Sequence, residues 1–416
     1  MHAPAIARED LQVNLNSERV DALVVGAGPA GSVLATLLAR EGWRVLIVDA
    51  GQGPARRAGE TLAGAARVPL EELGLWRAVL QQNPEPAFLV RSIWSTDEAV
   101  DRDSLRDRYG PAYHIDRERF DRCLLEAAIE AGCSVRHGTR VVALDREPYF
   151  RVQLAQRGNR SELVARYLVD ATGRSASVSR KLGAMRREID DLVGIARWYR
   201  KREPFTATLV EAVPEGWWYS APVPGEGLVA CLMTDACTPA AHASDAEVWA
   251  RCLQSGNATA ARIRGAIAHG PARVSRAFPA VTDWDPQQGF VPVGDAAAAF
   301  DPLSGDGLCF ALQSAKAGAL ALRETKAGNA VAIAEYRQVV QRIFREHLAR
   351  RAEHYAAVKR FGGAPFWTRF RGERGVAASV ARASSEAPAA FVLERSSQAA
   401  LLLDQRAVRL GHARIG

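Results

Sequence analysis

The chain has 416 residues, of which 48% are hydrophobic and 24% are charged, and its formal net charge is +7. This length and composition indicate a globular protein with room for two domains, and they exclude a disordered or low-complexity chain. Because the arginines that make the chain basic are spread along its length, we expect no nucleic-acid interface, and an anionic cofactor or an acidic partner explains the charge better.

A strand–turn–helix–strand unit is predicted near the start of the chain. Its elements are an apolar strand over residues 20–25, a helix over residues 32–40 and a second apolar strand over residues 44–48. The turn has the spacing G-x-G-x-x-G, and an acidic residue follows the second strand, 18 positions after the last glycine (31 to 49). This combination predicts a dinucleotide-binding fold, because an ordinary tight turn does not account for the acidic residue.

The residues of this turn have separate expected roles. Gly26 allows the tight turn, Gly28 lets the backbone approach a pyrophosphate, and Gly31 permits close packing of the helix on the strand. Ala30, in the same turn, is a further cofactor-binding candidate. Asp49 would bind ribose hydroxyls, and its charge disfavours a 2′-phosphate, so the turn predicts FAD or NAD.

The pattern changes between residues 185 and 290 to short runs typical of antiparallel strands. The predicted strands are residues 192–199, 206–213, 217–222 and 228–234, and the tryptophans in or just after them are Trp198, Trp217, Trp218 and Trp284. An aromatic face suits a flat apolar substrate, and core packing is the alternative for any single tryptophan. Because neighbouring strand residues face opposite sides, at most one of Trp217 and Trp218 lines a pocket.

A second glycine-rich turn lies close to residue 300. Its cofactor-binding candidates are Gly294, Asp295, Pro302, Gly305, Asp306 and Gly307, and an apolar helix over residues 308–322 follows. An NAD dehydrogenase would not need this turn, whereas the longer FAD is held at both ends. We expect Asp295 to bind ribityl hydroxyls and the backbone of residues 305–307 to approach the flavin ring. The two turns together therefore predict FAD.

The C-terminal region is predicted to be mostly helical. A helical pattern runs over residues 331–360 and is ended by two glycines, and Arg351 and Tyr355 on it are expected to cover the FAD-binding domain. An apolar run over residues 391–403 is interpreted as a packing helix, with a lid or a partner-docking surface as the alternatives.

Four segments carry a resemblance to a known family. They are residues 26–31, residues 115–121 (Ile-Asp-Arg-Glu-Arg-Phe-Asp), residues 170–174 (Asp-Ala-Thr-Gly-Arg) and residues 294–307. The chain resembles the FAD-dependent monooxygenases of the p-hydroxybenzoate-hydroxylase type, with the flavin halogenases and geranylgeranyl reductases of the same fold. The resemblance implies that Arg117 reaches the cofactor. It also relates Gly59-Glu60-Thr61 to a turn close to the flavin, with a helix cap as the alternative.

The resemblance implies an α/β fold with a Rossmann-like FAD-binding domain, an inserted substrate domain with a mixed or antiparallel sheet, and a helical C-terminal region. We place the FAD-binding domain at residues 19–185 and 286–330, the substrate domain at residues 186–285 and the helical region at residues 331–416.

This chain departs from the tryptophan halogenases in one motif and lacks a lysine and a glutamate of theirs, and these two losses argue against halogenation. Those enzymes resemble this chain at residues 216–222, where their motif is G-W-x-W-x-I-P and this chain has Tyr219 and Ala221 at the second tryptophan and the isoleucine. They also need a lysine before the helix that starts near residue 117, and this chain has no lysine before Lys181. Their glutamate after Pro-Leu is replaced by Ser304. The resemblance therefore favours hydroxylation.

Residues 216–222, 294–305 and 364–367 are most similar to flavoproteins that mature tryptophylquinone cofactors, which are the accessory flavoproteins of lysine and glycine oxidases and of quinohaemoprotein amine dehydrogenase. This implies hydroxylation, through a flavin C4a-hydroperoxide, of a tryptophan side chain in a protein partner. It requires FAD, O2, and NADH, NADPH or externally supplied reduced flavin. The alternatives are a hydroxylase of a free aromatic metabolite, a flavin halogenase and a flavin dehydrogenase or reductase. Candidates for the substrate site are Trp217, Trp218, Tyr219 and His114.

Cysteine spacing and hydropathy complete these expectations. The six cysteines form no C-x-x-C pair, so we expect neither a metal site nor a disulfide framework, and a reducing, cytoplasmic compartment. The most apolar runs are interrupted by Gly, Pro or Arg, which predicts no membrane span. The sequence leaves the oligomeric state open.

Overall fold

The computed structural model describes residues 18–104, 108–146, 148–200, 206–225 and 227–371. The strands of its first half are β1 (Glu18–Val25), β2 (Val45–Val48), β3 (Thr61–Leu62), β4 (Glu85–Ala87), β5 (Leu89–Ile93), β6 (Val100–Asp103), β7 (Ala112–His114), β8 (Ser134–Arg136), β9 (Thr139–Arg146), β10 (Phe150–Gln156) and β11 (Asn159–Asp170). The later strands are β12 (Met185–Glu188), β13 (Leu192–Arg200), β14 (Ala207–Val213), β15 (Gly216–Val223), β16 (Gly227–Asp235), β17 (Ile267–Arg276), β18 (Ala280–Asp283), β19 (Phe290–Pro292) and β20 (Ala298–Ala299).

Ten α-helices accompany these strands in the described ranges. They are α1 (Pro29–Arg40), α2 (Arg67–Glu72), α3 (Trp76–Leu80), α4 (Arg117–Glu130), α5 (Ser177–Lys181), α6 (Ala246–Gln254), α7 (Asn257–Ile263), α8 (Gly307–Lys326), α9 (Ala332–Ala357) and α10 (Pro365–Arg371). The apolar run over residues 391–403 lies outside the described residues.

The first large sheet has the strand order β8-β2-β1-β11-β10-β9, and β19 also pairs with β11. The pairs of β1 with β2 and with β11 are parallel, and so is the pair of β2 with β8. All four side chains of β2 are buried, as expected for a parallel strand covered on both faces. Helix α1 contacts both α4 and α8 beside this sheet. The predicted dinucleotide-binding unit is therefore confirmed.

The second large sheet has the order β17-β13-β16-β15-β14-β5-β6. Its pairs are antiparallel except the parallel pair of β14 with β5. The four strands predicted between residues 192 and 234 are all present. Strands β5 and β6 come from residues 89–103, within the range predicted for the FAD-binding domain, so the chain enters this sheet earlier than the predicted domain boundaries indicate.

The C-terminal helices close one side of the second sheet. Helix α9 contacts α8 and α10. Trp367 of α10 is fully buried, and its indole Nε1 donates to the Val213 carbonyl at 2.7 Å. Phe366 is buried beside it. The mixed α/β architecture with an antiparallel sheet and C-terminal helices agrees with the predicted fold class. No helix in the described part of the chain is both long and apolar enough to cross a membrane.

Candidate functional site

A cavity of about 770 Å³ lies where the two large sheets meet. One wall comes from the turns that follow β1, β2 and β11, and the other comes from the face of β15 and β16 that carries Trp217, Tyr219, Cys231 and Met233. The carboxyl ends of parallel strands are where α/β folds bind ligands, and the volume is in the range of small-molecule sites.

The first glycine turn has the close contacts that its sequence predicts. Gly26 has φ +113°, and a Cβ there would lie 2.1 Å from the carbonyl oxygen of Ala171. A Cβ on Gly31 would lie 2.0 Å from the carbonyl oxygen of Gly26. A Cβ on Gly28 would meet no atom within 4 Å, and Gly28 and Ala30 line the cavity. Gly26 and Gly31 therefore permit packing, whereas Gly28 leaves space for a ligand.

Asp49 lines the cavity beside this turn. Its Oδ2 accepts a hydrogen bond from the Ala27 N–H at 2.9 Å, and its Oδ1 accepts one from the Gly51 N–H at 2.7 Å. The carboxylate thus connects the turn after β1 to the turn after β2. The remaining acceptor capacity of the two oxygens is available to a ligand hydroxyl.

The second glycine turn forms the opposite part of the wall. Pro302, Gly305 and Gly307 line the cavity, and a Cβ on Gly307, at the start of α8, would meet no atom within 4 Å. Asp306 does not reach the wall, because its carboxylate is buried and lies 4.0 Å from the Arg350 guanidinium. Helices α1 and α8 therefore both begin at the cavity, where their free N–H groups and positive dipole ends favour an anion or a polar ring edge.

Arg174 joins the segment of residues 170–174 to that of residues 294–307, a contact that no sequence pattern indicated. Its Nε lies 3.4 Å from the Asp295 carboxylate, and its two terminal nitrogens donate to the carbonyls of Phe278 and Phe300 at 2.7 Å each. Gly294, next to Asp295, has φ +57°. Both Gly294 and Asp295 line the cavity.

Arg117 reaches the cavity wall from the first turn of α4. Asp116 caps this helix by accepting from the N–H groups of Glu118 and Arg119. The Arg117 guanidinium forms two 3.2 Å contacts with Asp121 and donates to the Ala58 carbonyl at 3.2 Å. The ion pair one turn along the helix fixes the guanidinium at the wall.

The tryptophan pair of β15 divides between the two faces of its sheet, as the alternation of strand side chains requires. Trp217 and Tyr219 face the cavity. Trp218 faces the other side, where its ring meets Trp249 edge-on at 4.8 Å. The structure thus places Trp218 outside the site, against its inclusion among the substrate-site candidates. Trp284 also lies elsewhere, in the core against Tyr336.

His114 lies behind the cavity wall instead of on it. It is buried at the end of β7, and its Nδ1 is 3.5 Å from the Thr61 hydroxyl. Thr61 lines the cavity and lies 2.9 Å from the Tyr219 hydroxyl. Burial, and then the charge of Arg262, lowers the pKa of His114 to about 4, so its imidazole is neutral near pH 7. His114 is therefore an acceptor one residue removed from the cavity.

Glu60 is a buried carboxyl between two cavity-lining residues, Gly59 and Thr61. The Gly59 N–H donates to its Oε2 at 2.7 Å. Burial raises the pKa of Glu60 to about 7. Thr61 and Leu62 form strand β3, so the segment is the turn before a strand and the helix-cap alternative is wrong.

A buried ion pair holds the second turn against α9. The Asp301 carboxylate accepts from Arg351 Nε at 2.5 Å and from the Tyr355 hydroxyl at 2.9 Å. Arg351 also pairs with Asp190 at 2.7 Å, and the Asp301 N–H donates to His347 Nε2 at 3.0 Å. Arg351 and Tyr355 therefore do pack on the second glycine turn, although the pairing with Asp301 was not evident in the sequence.

The cavity residues fit FAD. Two helix N-termini open on one cavity, and each begins at a glycine whose missing side chain leaves ligand space. A carboxylate stands beside each turn, at Asp49 and Asp295, where a nucleotide and a ribityl chain carry hydroxyls. A single long cofactor that is anionic in the middle and polar along its length matches this donor and acceptor set.

Comparisons with known proteins agree with this geometry. A family model described as the FAD binding domain matches residues 19–338. The putative FAD-dependent oxidoreductase LodB of Marinomonas mediterranea is 29% identical over 366 residues, which cover 85% of this chain and 97% of that protein. The tryptophan 2-halogenase of Chondromyces crocatus is 27% identical over 343 residues, which cover 79% of this chain and 65% of that protein.

A solved structure with a related fold is described as the peptidyl tryptophan dihydroxylase QhpG, essential for tryptophylquinone cofactor biogenesis. It superposes with a TM-score of 0.66 at 26% identity and covers 85% of this chain and 79% of its own. The family match covers residues 19–338, and the cavity between the two glycine turns lies within this range. The chain therefore belongs to the FAD-binding-domain family and is an FAD-dependent enzyme.

Proposed function

We propose that the protein is an FAD-dependent monooxygenase that hydroxylates an electron-rich aromatic ring, and that this ring is a tryptophan side chain of a partner protein in tryptophylquinone cofactor biogenesis. Similarity to the peptidyl tryptophan dihydroxylase over 85% of the chain supports the substrate class. Similarity to LodB over 97% of that protein supports an FAD-dependent oxidoreductase.

The observation that carries the choice of hydroxylation over halogenation is the position of lysine. Lys181 is the one lysine among the described residues that line the cavity, and its Nζ donates to the Val142 carbonyl at 3.3 Å. The wall formed by Trp217 and Tyr219 has none. The halogenases that this chain resembles need a lysine to direct the halogenating species, so this wall favours a direct attack of oxygen on the ring.

We assign the cofactor contacts to the residues of the two turns. In this assignment the N-terminus of α1 and the Gly28 backbone hold the pyrophosphate, and Asp49 holds the ribose. Asp295 and the N-terminus of α8 hold the ribityl chain and the flavin ring. The assigned residues are Gly26, Gly28, Ala30, Gly31, Asp49, Arg117, Gly294, Asp295, Pro302, Gly305 and Gly307. Asp306 acts through its backbone, because its side chain is turned to Arg350.

When bound and reduced by NADH, NADPH or externally supplied reduced flavin, FAD supplies the activation of O2. The chain's own residues position the ring and remove a proton. Trp217 offers an aromatic surface, and the Tyr219 hydroxyl is the polar group beside it. Loss of the ring proton completes a hydroxylation, and the Tyr219 hydroxyl, 2.9 Å from the Thr61 hydroxyl, is the cavity group that can relay it.

The test is co-expression of the protein with the tryptophan-containing polypeptides that neighbouring genes encode, under ¹⁸O2, followed by mass spectrometry of their tryptic peptides. Gain of one or two labelled oxygen atoms on a tryptophan supports the proposal. Gain of chlorine or bromine on an aromatic ring would overturn it in favour of a halogenase. If ¹⁸O is found only on a small aromatic metabolite, the protein is a hydroxylase whose substrate is that metabolite instead of a protein. Oxidation of NAD(P)H without ¹⁸O in any product would indicate a dehydrogenase or reductase.

A further inference from the structure

Strand β17 stands at the end of the second sheet, and β13 is its hydrogen-bonded neighbour there. All ten of its residues are exposed or half-buried. An edge strand of this length presents a row of unpaired N–H and C=O groups, which natural proteins normally cover or keep short. Among the described residues no strand pairs with the outer edge of β17, so this edge can accept an added strand.

One form of edge protection, a bulge followed by a proline, lies in the middle of β17. Gly270 has φ +76° and is followed by Pro271, and the pairing with β13 shifts between Ala196 and Trp198. A bulge and a proline disrupt pairing at that point. Beyond it, residues 272–276 run as a regular strand, and Arg273 to Arg276 pair in register with residues 193–196. We call residues 272–276 the rim strand.

The rim strand leads directly into the cavity. Ser275, Arg276 and Ala277 line the same cavity as Trp217 and Tyr219. A chain laid along the outer edge of the rim strand would therefore pass the cavity opening. Because successive side chains of an added strand alternate in direction, one residue of that chain can turn inward while its neighbours stay outside.

The surroundings of the rim strand are cationic. Arg273 and Arg276 are exposed on it, and exposed Arg57 lies on the adjoining cavity wall. Residues 264–276 contain no acidic side chain. Arg273 donates to the Arg56 carbonyl at 2.8 Å. Within the described ranges, Arg57, Arg273 and Arg276 form no ion pair. The charge favours an acidic segment over a neutral or basic one.

We propose that the outer edge of the rim strand receives an extended acidic segment of the substrate protein as an added β-strand, which delivers its tryptophan side chain to the cavity. The identity of the delivered side chain rests on the proposed function. The mode of docking rests on the outer edge of the rim strand and its arginines. Main-chain hydrogen bonds supply the affinity of such an addition, and the arginines select the segment.

The experiment measures binding separately from oxygenation. The FAD-loaded full chain, without reductant, is titrated against fluorescein-labelled peptides of roughly ten residues that carry one central tryptophan between β-branched residues. One peptide has aspartate and glutamate at the outer positions, and a matched peptide has lysine there. Two further acidic peptides are N-methylated on alternate residues, in complementary sets.

We expect the acidic peptide to bind about tenfold or more tightly than the lysine peptide, and only one of the two N-methylated peptides to retain binding, since one set of amides faces the enzyme. Combined Arg273→Glu and Arg276→Glu substitutions should reverse the charge preference, a gain that misfolding cannot produce. Arg160→Glu, on an exposed residue of β11, is the matched control and should leave the preference unchanged.

Three results would overturn the docking proposal: no binding of the acidic peptide, equal binding of the acidic and lysine peptides, or retained binding of both N-methylated peptides. If a partner protein gains oxygen on tryptophan while the charge-reversed variant binds and turns over normally, the proposed function stands and this docking mode fails. If the peptides bind as expected and no oxygen is incorporated into any tryptophan, the proposed function fails and the docking surface stands.

Discussion

The indole Nε1 of Trp217 donates a hydrogen bond to the Tyr355 hydroxyl at 2.9 Å, and this contact joins the cavity-facing side of the second sheet to the C-terminal helix. The Tyr355 hydroxyl in turn donates to Asp301 in the second glycine turn. One tyrosine therefore connects the residue that faces the substrate end of the cavity with the turn assigned to the flavin end. Both Trp217 and Tyr355 are almost completely buried.

Tyr355→Phe should lower the stability of the protein. It leaves the buried Trp217 N–H without an acceptor and removes one of the donors to Asp301, which should cost about 1–3 kcal/mol of the free energy of unfolding. Urea denaturation of the FAD-loaded protein measures this. Tyr149→Phe, at an exposed tyrosine, is the control and should change little. Equal stability of both variants and the parent would show that the Trp217–Tyr355 contact contributes nothing.

Gly28→Val should remove FAD while preserving the fold. Gly28 has φ −76°, which valine adopts without strain, and the new side chain would project into open cavity space. We expect the ratio of flavin to protein absorbance to fall at least about tenfold, with a cost near 1 kcal/mol at the N-cap of α1. Gly363→Val, also in open space but away from the cavity, should keep its flavin. A Gly28→Val protein with full FAD content would contradict the assignment of the pyrophosphate to this turn.

Glu60 should make stability fall as the pH rises. Its pKa is about 7 in the folded protein against 4.5 for the free side chain, because burial disfavours the charged form. Between these values the folded state keeps a proton that the unfolded state has released. The stabilisation is therefore complete below about pH 4.5 and is lost progressively up to about pH 7, a change of about 3 kcal/mol.

Glu60→Gln should flatten this dependence, since the amide stays neutral at every pH. The thermal midpoint of the FAD-loaded protein, measured from pH 4.5 to 8, should fall less steeply for the variant than for the parent. Glu98→Gln, at an exposed position, should follow the parent curve. If the thermal midpoints of Glu60→Gln and the parent change with pH in parallel, the Glu60 carboxyl does not ionise between pH 4.5 and 8 in the folded protein.

Tyr219→Phe should uncouple cofactor oxidation from oxygen incorporation. Without the hydroxyl, the ring loses the cavity group that relays its proton to Thr61, and product formed per NAD(P)H consumed should fall about 10²-fold, the scale of lost general acid–base assistance. The pH dependence of product formation should change with it. Tyr113→Phe, next to His114 and outside the cavity wall, should keep the parent ratio. An unchanged ratio in Tyr219→Phe would remove tyrosine from the proton path.

The first glycine turn could be predicted because its information is local. The spacing of Gly26, Gly28 and Gly31 belongs to one strand–turn–helix unit, and a Cβ on Gly31 would lie 2.0 Å from the Gly26 carbonyl oxygen in that same unit. The contact of Gly26 with Ala171, at 2.1 Å, comes from a distant segment that the spacing does not reveal. Strand alternation was equally local, and it anticipated that only one of Trp217 and Trp218 faces the cavity. The second turn could be read as a helix start for the same reason.

The rest of the site depends on segments far apart in the chain. Strand periodicity predicts that Trp217 and Tyr219 share one face of the sheet and that Trp218 lies on the other. It does not predict which of these two faces covers the cavity. His114 stands behind Thr61 because β7 pairs with β3, and Asp301 meets Arg351 and Tyr355 across 50 and 54 positions. The sequence by itself thus determined the cofactor class and the local geometry that holds it. Only the tertiary structure decided which side chains share the cavity, because that depends on packing between sheets and helices that no local pattern encodes.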